Sequence, residues 1–494
     1  MPSSPRRVRT GRPRLPGVHH AGNHGSGHLP VQAPSRCVPG RHAAPTRRRW
    51  LLNDLVVSRA HIVTCDPQRR ILRGDVVVRN GRILAVGPNA RRRARPDSEV
   101  IDAEGCALIP GLVQTHVHLC QTLMRGMAED LPLLTWLRQR VWPLEAAHDA
   151  DSLRASAELA LAELVRGGTT TLLDMGTTHG HDVLFDACVR FGVRAYGGKA
   201  MMDRGQGVPR KLREGTKASL AESDQLCATW DGAANGRIRY AYAPRFILSC
   251  SERLIRETVD RMSAGFFLHV HAAEHAEERS AVRAIHGADD VDVLSRWGAR
   301  GPRCVLVHGV QLTNRQVRSI ATADTHVVHC PSANLKLGSG IAPVGDLVRA
   351  GAAVGLGSDG AACNNNLDAW MEMRQAGLLA KLRGGPGSFS SQQALDLCTI
   401  GGARVLNLEH EIGSIEVGKR ADLLIVSLRS IQQAPVVDVV DTLVFATGSQ
   451  HVRDVMADGN WLVRNGELQG WDPEKIRAEA EAQAELLRRR AGLQ

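Results

Sequence analysis

Between residues 110 and 405 the chain alternates short apolar runs with stretches of helical period. The runs end near His118, Asp174, Lys199, Ala243, His271, His308, Cys330 and Asp359. Between them lie amphipathic segments such as 149-DADSLRASAELALAELVRGG-168, opened by an Asp cap and closed by glycine. Apolar runs alternating with helices in this way predict a (β/α)8 TIM barrel over 110–405.

The flanks have a different texture. In 54-DLVVSRAHIVTCDPQRRILRGDVVVRNGRILAVG-87, β segments are broken by Asp-Pro, Arg-Gly and Asn-Gly turns. The same pattern returns in 421-ADLLIVSL-428 and 452-VRDVMADGNWLVRNGEL-468. Neither flank has enough strands to bury a sheet face alone, so residues 51–109 and 406–470 are expected to build one small β-sandwich from both ends of the chain. A charged amphipathic helix follows over 471–494, a solvated or docking element.

The polar residues of the middle region collect at the ends of the apolar runs, where a barrel carries its active site. In 109-IPGLVQTHVHL-119, His116 and His118 fall on one face of a strand, because side chains repeat every second residue. His269 and His271 in 267-FLHVHAAE-274 both point inward by the same rule. His271 is nearer the rim and is taken as the third ligand, with His269 packed in the layer beneath. Asp359 in 355-GLGSDG-360 supplies an oxygen. Three imidazoles and a carboxylate suit zinc, with iron or another divalent ion as alternatives. Coordination lowers the pKa of a water from about 15.7 toward about 7, which gives a nucleophile at neutral pH. Glu274, three residues past His271, is placed to carry a proton from water to leaving group. Asp359 also accepts a hydrogen bond from the nucleophile, and His308 orients the water or donates to the developing oxyanion. Such a kit hydrolyses C–N or C–Cl bonds at an electron-poor ring carbon.

Charge changes the picture little. The net +11 is concentrated in residues 1–50, which hold ten Arg and no Asp or Glu, leaving about +1 for the rest. No phosphate-tracking surface is expected there, and no nucleic-acid partner. The Pro- and Gly-rich tail cannot build a core and is expected to be disordered. Its Pro and Gly argue against an amphipathic targeting helix, and a start assigned too far upstream accounts for it equally well. No 18-residue apolar run occurs, so no membrane span is expected. Eleven cysteines without a C-x-x-C pair favour free thiols in the cytoplasm.

Four runs resemble the amidohydrolase superfamily, in its single-metal deaminase and chlorohydrolase branch: 115-THVHLCQTLMRGMAEDLPLLTWL-137, 271-HAAE-274, 329-HCPSANLKLGSGIAPV-344 and 356-LGSDGAACNNNLDAWMEMR-374. The resemblance covers about 52–470 and implies the same ligands, His116, His118, His271 and Asp359, with Glu274 as proton shuttle and His308 assisting. Within the branch the chain is most similar to deaminases of 5′-deoxyadenosine, 5′-methylthioadenosine and S-adenosylhomocysteine. That implies a small purine nucleoside or other heteroaromatic amine as partner, ammonia as product, and a homo-oligomer. Glu145 in 142-WPLE-145 corresponds to a residue that holds ribose hydroxyls, and Trp136 is expected to line the pocket. Arg245 stands where several relatives carry a histidine against the adenine. The Arg245–Phe246 pair and Gln121 are reminiscent of guanine deaminase, so deamination of guanine or another free purine stays open beside s-triazine hydrolysis. Lys199 sits where relatives carry Arg, and Arg213 in the following loop is expected to reach a 5′ substituent.

Overall fold

The computed structural model describes residues 54–493. The tail expected over 1–50 lies outside the described residues. Eight parallel strands form the barrel: Leu112–Val117, Thr169–Met175, Arg194–Gly198, Ile238–Pro244, Phe267–Ala272, Cys304–His308, His326–His329 and Val354–Leu356. Strand eight closes on strand one through Leu356 and Gln114, and strand four pairs strand five through Ala241 and Phe267. These strands are buried on both faces, which is why they read as continuous apolar runs; all of CVLVH in strand six is buried.

The helices between strands follow their capping signals. Ala150–Arg166 starts where the Asp149 carboxylate accepts from the Ser152 backbone N–H at 2.9 Å, and it ends at Gly167. Strand three needs Gly198 for packing, because a Cβ there would lie 2.0 Å from the Ala241 carbonyl oxygen.

Both ends of the chain contribute to the second sheet, and they are continuous within it. The N-terminal part supplies Leu55–Val63, Ile71–Arg79, Arg82–Gly87, Glu99–Asp102 and Cys106–Pro110. The C-terminal part supplies Leu423–Ser427, Val452–Ala457, Asn460–Arg464 and Glu467–Leu468. The two join where Cys106–Pro110 runs antiparallel to Leu423–Ser427, Ile109 facing Leu424. Ile62, Val76 and Ile83 from one end share a core cluster with Leu423, Ile425 and Met456 from the other. This core cluster of the sheet is therefore built from both ends of the folded region.

The last helix, Pro473–Arg490, is a docking element. It buries Ala480 and Leu487 in the cluster that holds Trp142 and Leu144, and Arg490 pairs with Asp149. Among the described residues no helix is long and apolar enough to cross a membrane.

Candidate metal centre and active site

The C-terminal ends of strands one, five and eight bring His116, His118, His271 and Asp359 together, with one donor atom from each within 4.8 Å of the others. Asp359 Oδ1 lies 3.3 Å from Nε2 of both His116 and His118. Each ring is held by its other nitrogen. His118 Nδ1 donates to the Met175 carbonyl at 2.6 Å and His271 Nδ1 to the Arg245 carbonyl at 2.7 Å, which leaves Nε2 unprotonated and directed inward. His116 Nδ1 is 2.9 Å from His269 Nε2. His116 Nε2 is buried without a hydrogen-bond partner, an orphan that a cation would satisfy. The donor set and its aim fit a divalent metal.

Local backbone serves the same end. Strand eight stops at Leu356, and Asp359 stands three residues beyond it, in a left-handed conformation with φ 62°. His308 (φ 79°) and Ala273 (φ 53°) share this unusual geometry at the same rim. The loop carrying Asp359 is tied down: the Ser358 N–H donates to Gln114 Oε1 at 2.9 Å, the Asp359 N–H to the His116 carbonyl at 3.2 Å, and Asn364 Nδ2 to the Ser358 carbonyl at 2.7 Å.

Burial sets the protonation states. It lowers His116 to about 4 and pushes His118, His271 and His308 below the ordinary histidine value, so the rings are neutral, as ligands must be. For Asp359, burial acts upward, but the close approach of the His116 ring, with His118 and His308, holds it well below the usual carboxylate range. Glu274 goes the other way: burial, then the Glu278 and Asp359 carboxylates, raise it well above its ordinary value.

Glu274 Oε2 is 3.5 Å from His308 Nε2, and that nitrogen is 3.8 Å from Asp359 Oδ2. His308 Nδ1 donates to Asn334 Oδ1 at 2.9 Å. The Ala273 and Glu274 N–H groups are held by Asp290 and Glu278. Glu274 and His308 thus flank the Asp359 side of the ligand cluster.

His118, His271, Glu274, His308 and Asp359 line a cavity of about 30 Å³ together with Trp136, Arg245 and Phe246. Three residues expected to bind substrate form one buried network: Gln121 Nε2 donates to Glu145 Oε1 at 2.9 Å, and Arg245 Nη1 to Glu145 Oε2 at 2.5 Å. Burial acts to raise the Glu145 pKa, but the Arg245 guanidinium outweighs it and the carboxylate is held below its ordinary value. Gly360 must lack a side chain here, since a Cβ would meet Gln121 Oε1 at 2.0 Å. Arg213 is placed differently from its expectation: it is exposed and does not line this cavity. Lys199 is buried between Glu214 and Glu222, at 2.6 and 2.5 Å, and so is committed to that ion cluster.

His269 and Asn334 position the site, and Phe246 lines it. His269 touches a ligand ring directly, a role its place two residues before His271 could have suggested. Asn334 lies inside the quoted 329–344 run, and Phe246 directly follows Arg245.

An eight-stranded barrel with a three-histidine, one-aspartate centre defines a class of metal-dependent hydrolases. The chain belongs to the amidohydrolase family, whose profile matches residues 107–462. It is 35% identical to the 5′-deoxyadenosine deaminase of Methanosarcina acetivorans over 443 residues, covering 89% of this chain and 99% of that one. It is 36% identical to the 5-methylthioadenosine/S-adenosylhomocysteine deaminase of Moorella thermoacetica, covering 82% of this chain and 94% of the other. Among solved structures it resembles a zinc-bound adenosine deaminase from Xanthomonas campestris, with TM-score 0.83, 33% identity, and 88% and 99% of the two chains covered.

Proposed function

We propose that this protein is a zinc-dependent hydrolase that deaminates adenosine-like nucleosides such as 5′-deoxyadenosine, 5′-methylthioadenosine or S-adenosylhomocysteine. The observation that carries the chemistry is the placement of Glu274 and His308 beside the ligand cluster, at one wall of the cavity. His116, His118, His271 and Asp359 would hold the ion, which supplies Lewis-acid activation of the attacking water. With a cation offsetting the neighbouring carboxylates, Glu274 would be ionised and take a proton as the C–O bond forms at the ring carbon, then deliver it to the amino group as the C–N bond breaks and ammonia leaves. His308 stays fixed by Asn334 and orients the water through Nε2.

The substrate class rests on the relatives and on the Gln121–Glu145–Arg245 network. The Glu145 carboxylate keeps lone pairs for ribose hydroxyls, while Arg245 has further N–H donors for a ring nitrogen. Trp136 forms an apolar wall for the heterocycle.

The test is a panel of 5′-deoxyadenosine, 5′-methylthioadenosine, S-adenosylhomocysteine, guanine and an s-triazine, followed by ultraviolet change and ammonia release. The nucleosides are expected to turn over fastest. Turnover of guanine or triazine with inert nucleosides would overturn the reading. A homo-oligomer is also part of the proposal, supported by exposed Met371, Leu378 and Leu382 on one face of the helix Ala369–Gly384 and checked by sedimentation. The buried, unpaired state of all ten described cysteines supports a reducing compartment, hence the cytoplasm.

A further inference from the structure

Asp359 presents its two oxygens to two different sets of donors. Oδ1 faces His116 and His118, while Oδ2 is 3.8 Å from His308 Nε2. On that second side stands Cys330, directly after strand seven, and His308, Cys330 and Asp359 each offer a donor atom within 4.8 Å of the others. We propose that His308, Cys330 and Asp359 form a second, inhibitory site for a soft divalent cation such as zinc or cadmium, bridged to the primary centre by the Asp359 carboxylate.

The residues are suited to it one by one. The Asn334 contact takes the Nδ1–H of His308, so Nε2 is an unprotonated acceptor. The Cys330 thiol is fully buried and takes part in no hydrogen bond among the described residues, whereas the thiols of Cys250, Cys363 and Cys398 each donate to a carbonyl. The Asp359 carboxylate lies on the same side as this thiol and the His308 nitrogen, so the three donors already face one another in the buried rim. A tetrahedral zinc with one sulfur, one nitrogen and one oxygen ligand needs donors about 3.3–3.6 Å apart. The His308–Asp359 separation is already close to that, and side-chain adjustment closes the rest. Thiolate and imidazole together select zinc or cadmium over magnesium or calcium.

Binding is a simple exchange: the Cys330 S–H bond breaks, a metal–sulfur bond forms, and the proton leaves to solvent. The cation would then occupy His308 Nε2 and sit beside Glu274 Oε2, 3.5 Å from that nitrogen. Both groups are used by the proposed turnover, so occupancy stops it. The inference rests on that reading of the primary centre.

The experiment titrates cadmium into protein purified with one equivalent of zinc, and reads metal content, the cadmium–thiolate absorption and turnover together. Expected results are a second equivalent, a thiolate band and lost activity. Cys330→Ser should keep the first equivalent and basal turnover, lose the band, and need at least about tenfold more cadmium for inhibition. Cys330→Ala provides the same readout should the serine variant fold poorly, and Cys304→Ser, on strand six away from Asp359, should behave as wild type. A wild type that binds one equivalent and refuses a second overturns this inference alone. So does a thiolate band that survives both Cys330 variants. Protein that takes up no metal at all refutes the primary centre instead.

Discussion

His269 Nε2 lies 2.9 Å from His116 Nδ1, so a histidine of strand five fixes a ring of the donor cluster on strand one, across the barrel. For His116 Nε2 to be a ligand, Nδ1 must carry the proton and His269 must accept it. His269→Ala removes that acceptor and is expected to weaken metal retention about 10–100-fold, measured by chelator competition, with the circular dichroism unchanged. His269→Gln, which restores an acceptor oxygen, should recover part of the loss. Equal retention in all three proteins would show that His269 is only packing.

The second prediction separates holding the ion from moving the proton. Glu274 is not one of the four clustered donors, yet it is buried 3.5 Å from His308 Nε2. Glu274→Gln keeps shape and removes the transferable proton. Turnover should fall at least about 100-fold while bound metal stays at the wild-type level. A variant that loses metal in step with activity would assign Glu274 to coordination.

The Glu145–Arg245 pair is buried at both ends, with side-chain exposures of 2% and 5%. Removing one partner of such a pair leaves an uncompensated charge and costs about 3–5 kcal/mol. Arg245→Met is therefore expected to lower the urea midpoint strongly, and Arg245→Met with Glu145→Leu to recover most of it. Additive losses in the double variant would contradict a pairwise interaction. Both variants should lose substrate affinity, because the pair also lines or borders the cavity.

The parts of this molecule that follow short-range rules are visible in the chain. Barrel strands buried on both sides leave continuous apolar runs, and polar rim residues end them, so His116, His118, His271 and His308 stand out by position alone. Asp359 stood out as well, but strand eight is only Val354–Leu356, and the aspartate is brought to the site by a loop that Gln114 and Asn364 hold. What a ring's second nitrogen touches is decided by the barrel's closure, which no local spacing encodes, so the contacts of His269 and Asn334 are not legible in the chain. Arg213 is exposed, and a loop charge of this kind carries no local signal that separates a ligand contact from solvation. Gln121, Glu145 and Arg245 come from three separate elements, and only the fold makes them one network.

Asp174, at the end of strand two, makes a pH prediction. Its Oδ1 accepts from the Leu119 N–H at 2.9 Å, while Oδ2 is buried with no hydrogen bond among the described residues and has His181 Nδ1 at 3.9 Å. Burial pushes its pKa up from 3.8 to about 7. Because the folded value is the higher one, the folded state prefers the neutral acid. This contribution to stability is complete below the ordinary carboxylate value, falls as pH rises from there, and is gone above about 7. Asp174→Asn keeps an acceptor for Leu119 and cannot ionise. Urea midpoints at pH 5 and pH 8 (roughly either end of that window) should drop for wild type and change less for the variant. Parallel pH profiles would defeat the assignment.

The cavity beside the ligand cluster, about 30 Å³, has room for only a few waters, so a purine ring calls for more space than these side chains leave. Leu133, Trp136 and Leu137 form part of that wall. Directly after Trp136 the helix widens into a π-helical turn over Leu137–Val141 before resuming at Trp142, and such turns mark places where a helix shifts register. Trp136 Nε1 is buried without a partner, so it has a hydrogen bond to gain from a ligand that opens the wall. Substrate binding to the inactive Glu274→Gln protein is therefore expected to change tryptophan emission, and Trp136→Phe to abolish most of that change and raise KM several-fold with a smaller effect on kcat. Hydrogen exchange should report the same motion in residues 133–146. An emission change that persists in Trp136→Phe, with exchange unaltered in this segment, would place the entry path elsewhere.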